Sequence, residues 1–252
     1  MLNLLRRAVT ERFLHNPLGD RIRRGGGFMR LVDLANRYVT SETRQIARGR
    51  QMRALAETVE FIEANLPTVP TRDSAFDVLT LGLDEARAVP GLYMEFGVRE
   101  AFTLNWIAKH TRERVYGFDS FEGLPEDWTA EHRRGAFRTG RLPRVRPNVT
   151  LVQGLFDASL PPFLDDHADK LAFVHVDSDL YSSAVTVLTL LAERFQPGTV
   201  VVFDEFFNFP GWKQGEYRAF MEFVAARGVE FEYLAYCRFG EQLALRITRV
   251  AG

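Results

Sequence analysis

Apolar residues between positions 92 and 204 occur in short continuous runs, separated by segments with helical spacing. The runs predict strands at 92–97, 114–119, 149–153, 171–178 and 199–204, and the segments between them predict helices at about 101–111, 126–134, 159–165 and 181–195. Runs such as LAFVHV suit strands buried on both faces, and their alternation with helices is typical of a parallel sheet. The pattern therefore predicts five parallel strands with helices on both faces.

The C-terminal part follows a different pattern. A predicted helix at 213–227 precedes two strand-like runs at 229–237 and 241–249, which Gly240 separates. Strands joined by so short a connection pair antiparallel. We therefore expect a C-terminal antiparallel hairpin on the parallel sheet.

Residues 1–66 have helical spacing, interrupted at Asn16-Pro17 and at the glycines 25–27. Thr40 or Ser41 could cap a helix that runs toward Ile62, and Ser74 could cap another to about residue 88. We expect a helical extension at 1–70 and a catalytic domain at 71–252.

Charge and composition limit the function classes. The formal net charge is −1, so a general affinity for nucleic acid is not expected, and no stretch reaches the roughly 18 apolar residues of a membrane span. Residues 1–53 carry twelve Arg against four acids, which suits either an anionic partner or a solvated helical surface. These helices could equally form a homo-oligomer contact, a lid or a targeting surface. The lone Cys237 and the lack of a signal peptide favour the cytoplasm.

The candidate chemistry lies at the predicted strand ends. Carboxylates follow four strands, in the order Glu95, Asp119, Asp177 with Asp179, and Asp204 with Glu205. Ligands of open parallel sheets bind in the crevice beyond the carboxyl ends of the strands. The carboxylates therefore converge on one site, which predicts an enzyme.

The ends of the first two strands together predict a nucleoside cofactor. Gly97 lets a ligand approach the backbone, and Asp119 could accept two hydrogen bonds from ribose hydroxyls or cap the next helix. Arg99 and Phe102 stand where a dinucleotide motif needs glycine. A nicotinamide-dependent oxidoreductase is therefore disfavoured.

The later strand ends predict a metal site. Asp177 and Asp204 end neighbouring strands, and Glu205 adds a third oxygen ligand, a set that suits Mg²⁺ better than zinc. Asp179 could accept the proton of a substrate hydroxyl or cap the following helix. His175, inside its strand, is expected to be a core or supporting residue.

Two further segments are expected to border the site. Residues 120–147 follow Asp119 directly, have little periodicity and include Trp128 and His132, which predicts a lid or a disordered loop. The aromatic run 206–212 follows the metal carboxylates and could wall an acceptor pocket. Ser182 and Ser183 lack a His–Asp partner set, so a serine hydrolase is not expected.

Four motifs together resemble one family. MEFGVREAFTL, VYGFDSFEGLPEDW, VHVDSDLYSSAVTVL and VVFDEFFNFPGW occur in the order found in class I S-adenosylmethionine-dependent methyltransferases, specifically the metal-dependent macrocin and novobiocin type of sugar O-methyltransferase. The resemblance implies a Rossmann-like sheet of seven strands whose last strand is antiparallel. It also implies the cofactors S-adenosylmethionine and Mg²⁺, and a hydroxylated small molecule as acceptor.

The resemblance also assigns roles to residues. Glu95 and Gly97 would contact the methionine part of the cofactor, and Asp119 and Ser120 would contact its ribose. Asp177 is also expected to bind the cofactor. Asp177, Asp204 and Glu205 would bind Mg²⁺, and Asp179 would be the general base.

This chain departs from the family at two positions. It has Ala101 where the family often has Gly, and Asp204-Glu205 where Asp-Asp is usual. Two alternatives stay open. One is a non-catalytic cofactor- or partner-binding protein that uses the Arg-rich segment. The other is a catechol-type enzyme, for which Leu180 and Glu205 are atypical.

Overall fold

The computed structural model describes residues 45–251. The predicted breaks at Asn16-Pro17 and at 25–27, the caps at Thr40 or Ser41 and most of the Arg-rich segment lie outside this range. Residues from Arg53 onward form one compact unit, so the expected boundary at residue 70 falls inside that unit. The division into an extension at 1–70 and a domain at 71–252 stays a proposal.

Six α-helices and eight strands occur among the described residues. The helices are α1 (Ile46–Asn65), α2 (Ala75–Ala86), α3 (Phe102–His110), α4 (Phe156–Asp166), α5 (Tyr181–Leu190) and α6 (Glu216–Arg227). The strands are β1 (Thr71–Arg72), β2 (Leu92–Phe96), β3 (Val115–Asp119), β4 (Val149–Gln153), β5 (Leu171–Val176), β6 (Val200–Phe203), β7 (Glu230–Cys237) and β8 (Leu243–Arg249). Short 3₁₀ turns occupy Ala192–Arg194 and Trp212–Gln214.

All eight strands belong to one sheet, in the order β1-β7-β8-β6-β5-β2-β3-β4. Strands β2 to β6 are parallel, whereas β8 runs antiparallel to both of its neighbours, β6 and β7. The five parallel strands and the C-terminal antiparallel hairpin are thus confirmed. The two-residue β1, which pairs with the end of β7, was not predicted.

Burial explains why the runs form the centre of the sheet. Every residue of β2, β5 and β6 is buried, because helices cover both faces of these strands. Helix α2 packs closely on β6, where a methyl group at Gly82 would lie 2.9 Å from Val202. Ser74 caps α2 as predicted, since its hydroxyl oxygen accepts a hydrogen bond from the Asp77 amide.

One helix prediction is wrong. Residues 126–134 form turns rather than a helix, because their polar groups bond within the segment: both carboxylate oxygens of Asp127 accept bonds, from the Arg134 amide and from Arg133. Among residues 45–251, no helix has the length and apolar character needed to cross a bilayer.

Candidate active site

A pocket of about 550 Å³ lies at the carboxyl ends of the parallel strands. This volume is typical of a small-molecule site. Its lining contains seven carboxylates but one basic side chain, that of Arg99. The seven are Asp119, Glu126, Asp157, Asp177, Asp179, Asp204 and Glu205. The pocket therefore favours cationic ligands and disfavours a polyphosphate.

The turn after β2 forms one wall. Gly97 has a φ of 98°, and a Cβ there would lie 1.7 Å from the carbonyl oxygen of Asp177, so no side chain fits. Asp119 holds this turn: its Oδ2 accepts bonds from the amides of Val98 (2.9 Å) and Arg99 (2.8 Å). Its Oδ1 accepts another from the Phe121 amide (2.7 Å), which leaves about one acceptor position of the carboxylate for a ligand.

Two other predicted cofactor residues differ in access to the pocket. Ser120 lines it, and its hydroxyl donates to the Gly123 carbonyl (3.3 Å). Glu95 is fully buried beneath it, and its Oε1 lies 2.8 Å from Nδ1 of His175. A cofactor contact by Glu95 stays a prediction, whereas Gly97, Asp119, Ser120 and Asp177 all face the pocket.

Glu95 and His175 form a buried hydrogen-bonded pair. Burial raises the pKa of Glu95, and the hydrogen bond to His175 partly offsets this. Burial alone would lower the pKa of His175, but the bond to Glu95 and its charge raise it overall. The other ring nitrogen of His175 lies 3.9 Å from Oδ1 of Asp204. His175 therefore supports the site from below, as expected for a residue inside the strand.

Three carboxylates form an acidic triad, namely Asp177, Asp179 and Glu205. One oxygen of each lies within 4.8 Å of the others. Oε2 of Glu205 is buried and has no hydrogen-bond partner among the described residues. Carboxylate oxygens gathered in this way fit a hard divalent cation.

Asp204 has a different setting from the triad. It lines the same pocket, but its Oδ1 accepts a bond from Nε2 of Gln242 at 3.2 Å. Of the predicted ligand set, the structure thus brings Asp177 and Glu205 together with Asp179, the predicted base. Ligation by Asp204 and proton transfer to Asp179 both stay predictions.

The negative potential of the pocket carboxylates favours a positively charged ligand. Burial, followed by repulsion from neighbouring carboxylates, raises the pKa of Asp177 and of Glu205 well above their usual range. The same causes raise the pKa of Asp179 to about 7, although the Arg99 charge opposes the shift. Asp179 has a φ of 59°, a left-handed conformation that Asp tolerates better than most residues.

Sequence reasoning missed Glu216, the first residue of α6. It is fully buried, and its carboxylate accepts bonds from the amide (3.0 Å) and hydroxyl (3.1 Å) of Ser178 and from the amide of Glu205 (3.3 Å). Burial raises its pKa to about 8, while the bonds from Ser178 partly offset the shift. The only sequence feature that marks Glu216 is its position directly after Gly215, at the start of a helix. Acidic residues are common at helix N-termini, so this feature does not indicate a functional role.

The predicted lid segment contributes to the pocket lining, whereas no residue of the predicted aromatic wall at 206–212 lines it. Trp128 lines it, stacks on His132 at 5.5 Å and meets the edge of Phe209 at 6.5 Å. Glu126, from the same segment, accepts a bond from the Ser182 hydroxyl on α5 (2.6 Å). Residues 120–147 thus cover the side of the pocket near the acidic triad. By contrast, Phe206, Phe207 and Trp212 are core residues.

Comparisons with known proteins agree with this geometry. A family model described as a methyltransferase domain matches residues 94–206. A Streptomyces olivaceus protein named as an 8-demethyl-8-(2,3-dimethoxy-alpha-L-rhamnosyl)-tetracenomycin-C 4'-O-methyltransferase is 30% identical over 146 residues, 48% of this chain and 55% of the relative. The chain therefore spans about half the length of this curated relative.

Two solved structures share the fold. The calicheamicin methyltransferase CalS11 has a TM-score of 0.54 at 22% identity, over 80% of this chain and 93% of its own. The O-methyltransferase NovP has a TM-score of 0.55 at 22% identity, over 69% and 79%.

The sheet order, the strand-end pocket and the matched domain define a class I methyltransferase fold. The resemblance inferred from four motifs agrees with the curated relative, an O-methyltransferase named for a rhamnosyl-bearing substrate. The two structures show that the fold is shared.

Proposed function

We propose that this protein transfers a methyl group from S-adenosylmethionine to a hydroxyl of a sugar-bearing or polyhydroxylated small molecule, with the help of Mg²⁺. The proposal rests on one observation: a single pocket of a methyltransferase fold contains two features. One is the Gly97 turn held by Asp119, and the other is the acidic triad.

The charge of the pocket supports the cofactor assignment. S-adenosylmethionine carries a positive sulfonium and an ammonium group, and seven carboxylates against one Arg favour such a ligand. Asp119 retains an acceptor position for a ribose hydroxyl, and Ser120 adjoins it. A nicotinamide dinucleotide would bring a pyrophosphate into the same negative field, which opposes its binding.

The carboxylates of the pocket fit a divalent cation. Asp177 and Glu205 would hold it in either arrangement of ligands, together with Asp204 as the motifs imply or with Asp179 as the triad implies. A bound Mg²⁺ would lower the pKa of the acceptor hydroxyl and orient neighbouring substrate oxygens.

Asp179 is proposed as the general base. Its raised pKa, about 7, matches the range in which a carboxylate can accept a proton near neutral pH. Asp179 would accept the proton of the acceptor hydroxyl as the oxygen forms its bond to the methyl carbon. The bound cofactor would supply that methyl group, with its carbon–sulfur bond breaking and S-adenosylhomocysteine as the leaving group.

The acceptor side of the pocket suits a sugar. Trp128 offers a flat apolar face, and the carboxylate of Glu126 and the hydroxyls of Ser182 and Ser183 offer hydrogen-bond partners. Aromatic and polar groups in this combination bind ligands that have an apolar face and several hydroxyls. The Streptomyces olivaceus relative is named for a rhamnosyl-bearing substrate, which supports a natural-product sugar as acceptor. We propose the cytoplasm as location, where the buried thiol of Cys237 would stay reduced.

The test is calorimetric titration of the protein with S-adenosylhomocysteine and then with Mg²⁺, on wild type and on Asp204→Ala. We expect cofactor binding in both proteins and weaker Mg²⁺ binding in the variant. A second assay follows formation of S-adenosylhomocysteine with rhamnosylated acceptors. Absence of cofactor binding would refute the proposal, and binding without turnover on any hydroxylated acceptor would favour a non-catalytic binding protein.

A further inference from the structure

One buried carboxylate connects the two strand ends that carry the acidic residues. Oε1 of Glu216 accepts bonds from the amide (3.0 Å) and hydroxyl (3.1 Å) of Ser178, the residue between Asp177 and Asp179. Its Oε2 accepts a bond from the amide of Glu205 at 3.3 Å. Glu216 is therefore bonded to both halves of the site at once.

The burial of the Glu216 carboxyl group is energetically unfavourable, which indicates a role beyond packing. Glu216 is fully buried, and among residues 45–251 it forms no ion pair with Lys or Arg. The charge of Asp204 raises its pKa further, and the His175 ring also interacts with it electrostatically. Burial of a carboxyl group away from water is unfavourable, and an apolar residue would fill this position at lower cost.

The three donors that meet at Glu216 explain why a carboxylate is needed. Two N–H groups and one hydroxyl point to its two oxygens, and a carboxylate accepts on both. Glutamine would keep an acceptor for Ser178 but would turn an NH₂ group toward the Glu205 amide. Aspartate would be one methylene too short to reach both strand ends.

We propose that Glu216 is a positioning residue that fixes the distance between the β5 end, with Asp177 and Asp179, and the β6 end, with Asp204 and Glu205. The inference rests on the proposed function, because this spacing matters when one cation is held by both ends. Glu216 does not line the pocket, so it touches neither cation nor substrate. Groups that orient metal ligands from outside the ligand set govern metal affinity.

The test compares Glu216→Gln with a matched control, Thr199→Val. Thr199 also makes a buried hydrogen bond, from its hydroxyl to the Leu171 carbonyl (2.7 Å), but at the amino ends of β5 and β6. Mg²⁺ and S-adenosylhomocysteine affinities are measured by calorimetry, kcat and acceptor KM by steady-state kinetics, and Tm by calorimetric melting.

We expect Glu216→Gln to weaken Mg²⁺ binding by about 10- to 100-fold, the usual effect of losing a group that orients metal ligands. Its affinity for S-adenosylhomocysteine should stay within about 3-fold of wild type, because the Gly97 turn is untouched, and its kcat should recover partly at high Mg²⁺. Thr199→Val should lower Tm and leave Mg²⁺ affinity unchanged.

Three outcomes separate the explanations. Wild-type Mg²⁺ affinity and kcat in Glu216→Gln would overturn the positioning role, as would an equal loss of Mg²⁺ affinity in Thr199→Val. If wild type binds neither S-adenosylhomocysteine nor Mg²⁺, the proposed function fails and this inference with it. Should Glu216→Gln not fold, Ser178→Ala removes only the hydroxyl bond: a weaker Mg²⁺ affinity at near-normal Tm supports the role, and an unchanged affinity contradicts it.

Discussion

Asp179 is the residue whose role the structure makes most testable. The motifs imply that Asp179 is the general base. However, one of its carboxylate oxygens lies within 4.8 Å of an oxygen of Asp177 and of Glu205, as expected of a cation ligand. Asp204, the ligand implied by the motifs, bonds instead with Gln242. A base and a ligand respond differently to the loss of the carboxylate charge.

We expect Asp179→Asn to lower kcat by about 10²- to 10⁴-fold, the usual contribution of general base catalysis, with Mg²⁺ affinity near that of wild type. Asp204→Asn is the matched variant, and it should lose Mg²⁺ affinity. Calorimetric Mg²⁺ titration and steady-state kinetics on both variants measure these effects. The reverse pattern, in which Asp179→Asn loses Mg²⁺ and Asp204→Asn does not, would make Asp179 a ligand and remove its role as base.

The turn between β2 and α3 holds one alanine in a left-handed conformation. Ala101 has a φ of 62°, the left-handed conformation that Gly adopts without steric cost. The preference for Gly here in the family that the motifs resemble follows from this geometry. We expect Ala101→Gly to leave S-adenosylhomocysteine affinity within about 3-fold of wild type, since Asp119 holds the turn through the amides of Val98 and Arg99. A larger loss by calorimetry would show that Ala101 itself shapes the cofactor site.

At the scale of elements, the segment 120–147 contributes several residues to the pocket lining, including Glu126 and Trp128. It has no regular helix, and backbone bonds between Leu124 and both Gly135 and Ala136 fold it on itself. Trp128 is thereby brought against Phe209, which follows the carboxylates of β6. The segment therefore connects the end of β3, which carries Asp119, with the loop that follows β6.

We expect Trp128→Ala to raise the acceptor KM by about 10-fold, because a lost aromatic contact costs roughly 1–2 kcal/mol, and to leave S-adenosylhomocysteine affinity unchanged. Trp106→Ala serves as the control, since Trp106 packs on Phe76 and does not line the pocket. Acceptor saturation kinetics and cofactor calorimetry give both numbers. If Trp128→Ala weakens the cofactor and not the acceptor, Trp128 borders the cofactor instead.

Elements with a strong local pattern were predictable from sequence, and those set by tertiary bonds were not. LAFVHV predicts β5 because its residues are apolar on both faces, and Ser74 predicts its cap because the bond to Asp77 is local. The two-residue β1 exists only through pairing with β7. Glu216 likewise gains its role from residues 11 and 38 positions away, which no local pattern contains.

At the scale of the whole molecule, the fold buries several acidic side chains, and burial disfavours their ionised form. Burial raises the pKa of Asp179 and of Glu241 to about 7, and that of Glu216 to about 8, from ordinary values of 3.8 for Asp and 4.5 for Glu. The folded state therefore retains protons that the unfolded chain releases. Between about pH 4 and pH 8 the metal-free protein should lose stability as the pH rises.

This charge arrangement predicts a pH-dependent stabilisation by Mg²⁺. Below the unfolded-state values both states are protonated, and the contribution of these acids to stability is fully present. It is lost as the pH rises through the folded-state values near 7 and 8, where a bound cation would offset the charge of the ionised pocket carboxylates. We expect Mg²⁺ to raise Tm more at about pH 8 than at about pH 5.5, as measured by calorimetric melting in Mg²⁺ and in chelator. Asp177→Asn, which removes a carboxylate common to both ligand sets, should abolish most of this difference. An equal Tm in Mg²⁺ and in chelator at both pH values would show that the buried acids are balanced by the protein alone.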